Sequence, residues 1–512
     1  MTTSRQPPGV DEAGPAVWRK LDRRTVAVTL LRAVGVAVAA GFPTGAAIAG
    51  GTSPLVATAV VVPVAVVLIA AAGLVDDLRW RKTSYRVLPD RVELRKGIVV
   101  RSRRTLSRHR IRAVDITAPP LLRAFGLVHV KLGTGEQTSA GESSLVLHPL
   151  TRAEADDLRT ELLHRVTPVS RSLAPADGLL ATFQPSWVRF APMSFLTPTL
   201  GLAFFGVILQ VAEWFGLRSG VISWALDLLR GLSLPLAVLA LLVTGLAVGV
   251  AGSMALFVEM WWRFRLEREP NGTLRVRRGL LTTRSISLEE RRLRGVELVE
   301  PLGNRLVGAA RVDAVATGLA RQNSKERTDH KTLLPPAPRR EADRVAAVVL
   351  REPASPTESV RLLAHPAAAR GRRVRWALLA VSAVVLPLLV VGLAGVPVLL
   401  PVAGICGAVL VPVALAVAYD AYRNLGHGLT GDYLVTRSGA LRRSTVALRR
   451  RGIIGWTARQ SIFQRRKGLL TLTATTAAGA GAYSIYDIGQ AEGLEFAEAA
   501  VGELFGPFLE RA

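Results

Sequence analysis

Three times along the 512-residue chain, a pair of long apolar stretches is followed by an arginine-rich stretch of soluble character. The soluble stretches align without gaps around a short core. The first reads Arg110-Ile111-Arg112-Ala113-Val114 and then Arg123-Ala124-Phe125-Gly126; the second reads Arg292-Leu293-Arg294-Gly295-Val296 and then Arg305-Leu306-Val307-Gly308. The third reads Gly452-Ile453-Ile454-Gly455-Trp456 and then Arg465-Arg466-Lys467-Gly468. In every copy an arginine lies nine residues after the Val or Trp and a glycine twelve after it. An internal repeat fixes architecture before any side-chain chemistry is considered. The unit repeated here is a membrane hairpin plus a basic domain.

Half of the residues are hydrophobic and only 20% are charged, as suits a membrane protein. Six apolar windows stand out: Thr25 to Gly50, Pro54 to Leu74, Phe195 to Val211, Leu234 to Leu256, Trp376 to Leu393 and Pro397 to Ala418. Most reach the roughly 20 helical residues needed to cross the hydrocarbon core. Pro43, Pro63, Pro387 and Pro412 do not break such helices, because a membrane helix can satisfy its freed carbonyls locally. Six windows in three close pairs argue against helices buried in a soluble core.

Charge sets the expected orientation. The loops Gly51-Thr52-Ser53 and Ala394-Gly395-Val396 are uncharged, and the longer middle loop balances Arg218 and Arg230 against Glu213 and Asp227. Arg19, Lys20, Arg23 and Arg24 precede the first window, Arg79, Arg81 and Lys82 follow the second, and Arg370, Arg372, Arg373 and Arg375 precede the fifth. The positive-inside rule places both termini and all three basic domains in the cytoplasm of a multipass inner (plasma) membrane protein. Trp80, Trp261, Trp262 and Trp376 lie where an interfacial aromatic belt belongs. A cleaved signal peptide fits poorly, since 24 residues precede the first window and a second follows at once. The single cysteine, Cys406, leaves no intrachain disulfide and no Cys-rich zinc site.

Each soluble stretch reads as short strands followed by one helix. Ser84 to Leu88 and Arg91 to Leu94 flank the turn Pro89-Asp90, and Gly97 leads into Ile98-Val99-Val100. Val114-Asp115-Ile116 and Val128 to Leu132 alternate as half-buried strands do. Thr151-Arg152-Ala153-Glu154 is a capping box that opens a helix to about Arg165. The second copy has strands near Phe264 to Leu266 and Thr273 to Val276, with a helix around Arg340 to Arg351. The third has Tyr433 to Thr436, Leu470 to Thr473 and Tyr483 to Tyr486, with a helix from Glu492 to Phe505.

These elements resemble the bacterial pleckstrin-homology (PH) domain family: a strand hairpin, an Arg-Ile-x-x-Val element, an Arg-x-x-Gly element and a closing helix. Three such units, each behind a membrane hairpin, are similar to the YdbT-like multipass membrane proteins. The resemblance implies an α+β membrane protein: six transmembrane helices in three hairpins, with three small antiparallel β (PH-like) domains, each closed by a C-terminal helix. The third copy departs at Gly452, where the first two have Arg110 and Arg292, and at Trp456, where they have valine.

The expected organisation is a disordered basic N-terminus (1–24), hairpin one (25–75), PH-like domain one (81–166), a linker (167–194), hairpin two (195–257) and PH-like domain two (263–352). A second linker (353–375), hairpin three (376–418) and PH-like domain three (421–509) complete it. Both linkers are Pro-rich and polar and read as extended and mobile. Arg321 to Arg340 reads as a long surface connection within the second domain.

Arginine clusters supply the candidate binding residues for lipid or a protein partner: Arg103, Arg104, Arg108 and Arg110 in the first domain, Arg449 and Arg450 in the third, and Arg292 in the second. Arg123, Arg305 and Arg465 of the Arg-x-x-Gly element join them, although the first role of that element is a tight turn at Gly126, Gly308 and Gly468. Near an anionic leaflet each cation is worth about 1 kcal/mol. Only 7 of the 65 basic residues are lysine, and the positive-inside bias already requires cations here, so generic attraction precedes headgroup recognition.

Other classes lack their marks. A transporter needs ionisable residues deep in its spans, yet Arg32 is the clearest charge inside a window and can snorkel to the interface. A net charge of +26 invites nucleic acid, but no zinc-finger, helix-turn-helix or RNA-binding motif accompanies it. No phosphate loop, nucleophile elbow or His-Glu-x-x-His motif points to an enzyme, a cofactor, a metal or a catalytic residue. The expected function is therefore a non-enzymatic scaffold or sensor, with a six-helix transporter or channel component as the alternative. Its expected partners are the bilayer, anionic headgroups and other membrane or cytoplasmic proteins.

Overall fold

The structure is a computed structural model that describes residues 18–97, 101–108, 111, 113–133, 144–163, 178–270, 272–317 and 331–501. Among the described residues six helices are long and apolar enough to cross a membrane: Arg24–Gly51, Pro54–Lys82, Leu196–Trp214, Leu234–Trp261, Ala367–Leu393 and Leu399–Arg423. They coincide with the six predicted windows, and several run past them at the domain-bearing ends. A helix satisfies its own backbone, so polar residues can carry it through the headgroup layer. In the second span Arg79, Arg81 and Lys82 form the last turn, where cations complement the negative end of the helix dipole. Leu55 and Leu234 are 77% and 78% exposed, surfaces that only lipid can solvate without aggregation. The longer middle loop contains a further short helix, Arg218–Leu229, with Trp224 and Leu228 exposed.

By backbone contacts the chain divides into two compact units. The first holds the first repeat together with residues 203–242 and 281–286; the second holds the rest of the middle repeat and the whole of the third.

In the first unit, strands β1 (Arg19–Lys20), β2 (Ser84–Val87), β3 (Arg91–Lys96) and β4 (Ser102–Ser107) form one antiparallel sheet in sequence order. Strands β5 (Ala113–Ala118), β6 (Leu127–Gly133) and β7 (Ser144–Thr151) lie in a second, with β6 in the middle. The predicted alternation in β6 is realised, since Val128, Val130 and Leu132 are buried against Val92, Leu94, Leu147 and Leu150. The helix Arg152–Leu163 closes the fold with Ala155, Leu158 and Leu162 in the same core. Its capping box is present: the Glu154 amide donates to Thr151 Oγ1 at 3.3 Å and the Thr151 amide donates to Glu154 Oε2 at 3.0 Å. The predicted run Ile98-Val99-Val100 lies outside the described residues.

The middle repeat has β8 (Leu179–Thr182), β9 (Arg265–Glu269), β10 (Thr273–Arg278) and β11 (Thr283–Glu289), then β12 (Leu293–Pro301), β13 (Ala309–Ala316) and β14 (Thr332–Pro338), closed by helix Arg339–Leu350. The third has β15 (Gly426–Thr430), β16 (Tyr433–Ser438) and β17 (Arg442–Arg449), then β18 (Ile453–Arg459), β19 (Leu469–Thr476) and β20 (Ala482–Gly489), closed by helix Gln490–Ala500. In the second unit the two domains are joined: β12 pairs antiparallel with β17, giving one six-stranded sheet in the order β14-β13-β12-β17-β16-β15. The approach depends on Gly295, because a Cβ there would sit 1.9 Å from the Ala447 carbonyl oxygen. Across the joint Glu300 lies opposite Arg443. Pro335 and Pro336 fall in β14, the edge strand, where a missing N–H costs no ladder bond.

The described part of the first expected linker, residues 178–194, and the second expected linker are built into these domains, while 167–177 lie outside the described residues. β8 pairs with β9, and the turn of 3₁₀ helix Pro185–Met193 buries Trp187 and Phe190 beside Phe264 and Leu266. In the second, Ser355 and Thr357 are buried, with Thr357 donating to Asp343 at 3.0 Å, and Leu363 bridges to His427. Polar, proline-rich composition signals an unpaired chain, but these polar groups find partners in a neighbouring domain.

Candidate functional site

The Arg-x-x-Gly element has the same geometry in all three repeats. Each sits at the end of a short helix, Pro120–Ala124, Leu302–Leu306 or Ile462–Arg465. Gly126, Gly308 and Gly468 have φ of 71°, 68° and 60°, the left-handed region that glycine alone adopts freely. Each glycine amide donates back to the arginine carbonyl, at 3.0, 3.1 and 3.2 Å, and each glycine carbonyl accepts from the first residue of the closing helix: Arg152, Arg339 or Gln490. The element is a hinge that aims the closing helix. Its arginine side chains then diverge: Arg123 and Arg465 are exposed, whereas Arg305 donates to Asp420 of the sixth span at 2.8 Å.

Most other predicted binding arginines have intramolecular partners. Arg103 pairs with Glu93 at 2.8 Å, alongside Arg86 at 2.7 Å and Arg91 at 3.0 Å. Burial alone would raise the Glu93 carboxyl, but hydrogen bonds and charge from Arg86 and Arg103 outweigh it and hold it down at about 2. Arg108 donates to the carbonyls of Pro89 and Glu161, Arg292 pairs with Glu289 at 2.8 Å, and Arg449 reaches the Tyr433 hydroxyl at 3.0 Å. Arg450 donates to the carbonyls of Ala499 and Ala500, each at 2.6 Å, and so caps the last closing helix. Arg110 lies outside the described residues.

Arg104 is placed differently. It lines a cavity of about 880 Å³ in the first unit, between the domain-bearing end of the first hairpin and the strands of the first domain. Thr25, Val28, Thr29 and Arg32 come from the first span; Asp76, Arg79, Trp80 and Thr83 come from the second span and its cap. Both sets follow i, i+3, i+4, i+7, so each is one face of a helix. Lys96 and Ser102 join Arg104 from the two strands beside them, and His129 from β6. Thr29 donates to Asp76 Oδ2 at 2.8 Å, holding the two spans together, and Trp80 Nε1 donates to the Leu21 carbonyl at 2.7 Å. Four cations, Arg32, Arg79, Lys96 and Arg104, and one carboxylate, Asp76, therefore line a single cavity at the domain-bearing end of the first hairpin. Its floor is firm: Leu122 and Leu127 pack on Val28. Arg32, read from the sequence as a residue that can snorkel to the interface, belongs to this set, and no local sequence pattern links it to Arg79 on the other helix.

A sequence model described as Bacterial PH domain matches residues 30–166 and 378–499, each time a hairpin with the domain behind it. The chain belongs to the bacterial PH domain family. The middle, PH-like domain lies outside the two matched stretches but carries the same turn at Gly308 and a closing helix. Comparison with curated proteins and with solved structures returns no match. The protein is thus a multipass membrane protein with PH domains, and the cavity lies where the first PH domain meets its hairpin.

Proposed function

We propose that the protein is a non-enzymatic scaffold or sensor of the inner membrane, holding its PH domains on the cytoplasmic face and capturing an anionic lipid headgroup in the first-hairpin cavity. The observation that carries this reading is the cation excess: Arg32, Arg79, Lys96 and Arg104 against Asp76. At the headgroup depth the dielectric falls and a phosphate is attracted more strongly than in water. Arginine adds bidentate geometry that a phosphate oxygen pair can use. Trp80, at the same level, suits the boundary between apolar and wet surroundings. The arginine-rich flanks of the spans support the cytoplasmic orientation.

The test is titration of detergent-solubilised full-length protein with short-chain phosphatidylglycerol, with phosphatidylcholine and inorganic phosphate as separate arms. Arg32→Gln with Arg104→Gln removes two cations worth about 1 kcal/mol each, so affinity for the anionic lipid should fall about 30-fold. Equal binding of phosphatidylcholine, or no change in the double variant, would reject the headgroup reading. Binding of phosphate as tight as that of the lipid would assign the cavity to a soluble anion instead.

A further inference from the structure

The short helix of the third PH domain presents a surface unlike that of the first domain; the middle one exposes Leu306 and Val307 at its end instead. In the first domain the equivalent helix is packed down, with Leu121 and Phe125 against Val28 and Leu122. In the third, Ile462 and Phe463 are 73% and 59% exposed, flanked by exposed Arg459, Arg465, Arg466 and Lys467. Large apolar side chains on a turn are ordinarily tolerated only singly, whereas a pair ringed by cations is the composition of an interfacial membrane anchor.

The tip is held rigidly. Ser461 and Gln464 make a reciprocal capping box, with the Gln464 amide donating to Ser461 Oγ at 3.3 Å and the Ser461 amide to Gln464 Oε1 at 2.9 Å. Gln464 itself is buried, and its Nε2 donates to Asp487 Oδ1 at 2.8 Å and to Thr471 Oγ1 at 3.0 Å. Asp487 in turn binds Arg372 and Arg373 at the base of the fifth span, the latter at 2.5 Å. The tip's height is therefore set from the span. The Arg375 guanidinium lies over the Phe463 ring at 5.9 Å, and Arg375 immediately precedes Trp376, where the apolar window begins.

We infer that Ile462 and Phe463 insert into the headgroup–acyl boundary of the bilayer that the fifth span crosses, with Arg465, Arg466 and Lys467 on lipid phosphates, so that the third PH domain is docked on the membrane by its own tip. The occupant of this surface is the lipid bilayer rather than a protein. Three observations select it: apolar residues ringed by cations, a rigid mount, and contact with the residue at the start of a span. The inference is independent of the first-hairpin cavity.

The single cysteine gives a clean test. In full-length Cys406→Ser protein reconstituted in vesicles of phosphatidylcholine and phosphatidylglycerol, Phe463→Cys and, separately, Ile462→Cys would carry a nitroxide. Asp432→Cys is the control, because it lies in the turn after β15, which runs away from the end of the sixth span. Labels at positions 462 and 463 should be relaxed several-fold more by oxygen, which concentrates in the bilayer, than by a water-soluble nickel chelate, with the reverse ratio at position 432. Nickel accessibility at 462 and 463 equal to that at 432 would overturn the inference. Protection from both relaxants would overturn it too, in favour of a protein partner.

Discussion

Removing the Glu300 carboxylate should loosen the second and third PH domains from each other, and the size of the effect follows from its contacts. Glu300 is 3% exposed on β12. It accepts from Arg443 of β17 through both oxygens, at 2.8 and 2.7 Å, and from Arg339 at 2.8 Å. Burial raises its pKa, but Arg443 and Arg339 outweigh that and hold the carboxyl below its ordinary range, so it is charged at neutral pH. In Glu300→Ala, Arg339 keeps Asp343 at 2.7 Å, whereas Arg443 keeps only Asn424 at 3.4 Å. One poorly compensated guanidinium remains, half-buried. Breaking a buried pair costs about 3–5 kcal/mol, and the partial exposure of Arg443 selects the low end, about 3 kcal/mol. For a cooperative body of this size that is a fall in Tm of roughly 6–12 °C. The assay is thermal unfolding of full-length protein in detergent micelles, followed by tryptophan fluorescence. Glu300→Leu with Arg443→Met should recover much of the loss, since a buried pair is often replaceable by apolar side chains. A Glu300→Ala protein melting within about 1 °C of the parent would refute the joint. So would a double variant that loses the sum of both single effects.

Other perturbations have equally defined outcomes. Gly295→Val should be at least as damaging as Glu300→Ala, because its Cβ alone would meet the Ala447 oxygen at 1.9 Å; a parent-like melt would show that β12 and β17 are not paired. Gly308→Ala meets nothing within 4 Å but is fixed at φ 68°, so it should cost only about 1–2 kcal/mol, with Gly308→Asn milder; equal effects of the two would remove the backbone explanation. His427 is fully buried, contacts His365 at 3.1 Å and is held at about 4 by burial and then by that neighbour's charge. Its folded value lies below its unfolded one, so the unfolded chain gains a proton first and stability falls as pH drops from about 6.5 towards 4, by up to about 3 kcal/mol. Melts at pH 7.5 and 5 should show about 2 kcal/mol of that loss in the parent and a smaller one in His427→Gln, and parallel curves would exclude His427 as the source.

The architecture was legible because it repeats and because lipid demands long apolar helices. The spans, the capping box at Thr151 and the left-handed glycines each follow from local chemistry that a short window contains. The joint between PH domains was hidden because Glu300 and Arg443 are 143 residues apart, and nothing near either names the other. Gly295 inside a strand pattern was a local hint of close backbone approach. The candidate site was half legible. Counting arginines finds clusters, but Arg103, Arg292 and Arg450 are occupied within the protein, and only the carboxylates and carbonyls opposite them decide that. Arg104 differs from Arg103 by the face of β4 it occupies, since one points to Glu93 and the other to the cavity.

The most direct test of the central claim is native mass spectrometry of the full-length protein released from nanodiscs containing equal amounts of phosphatidylglycerol and phosphatidylcholine. A protein whose first-hairpin cavity holds an anionic headgroup should retain phosphatidylglycerol selectively, and Arg32→Gln with Arg104→Gln should lose that retained lipid while keeping its fold. Retention of both lipids in equal measure, or the same retained phosphatidylglycerol in the double variant, would contradict it.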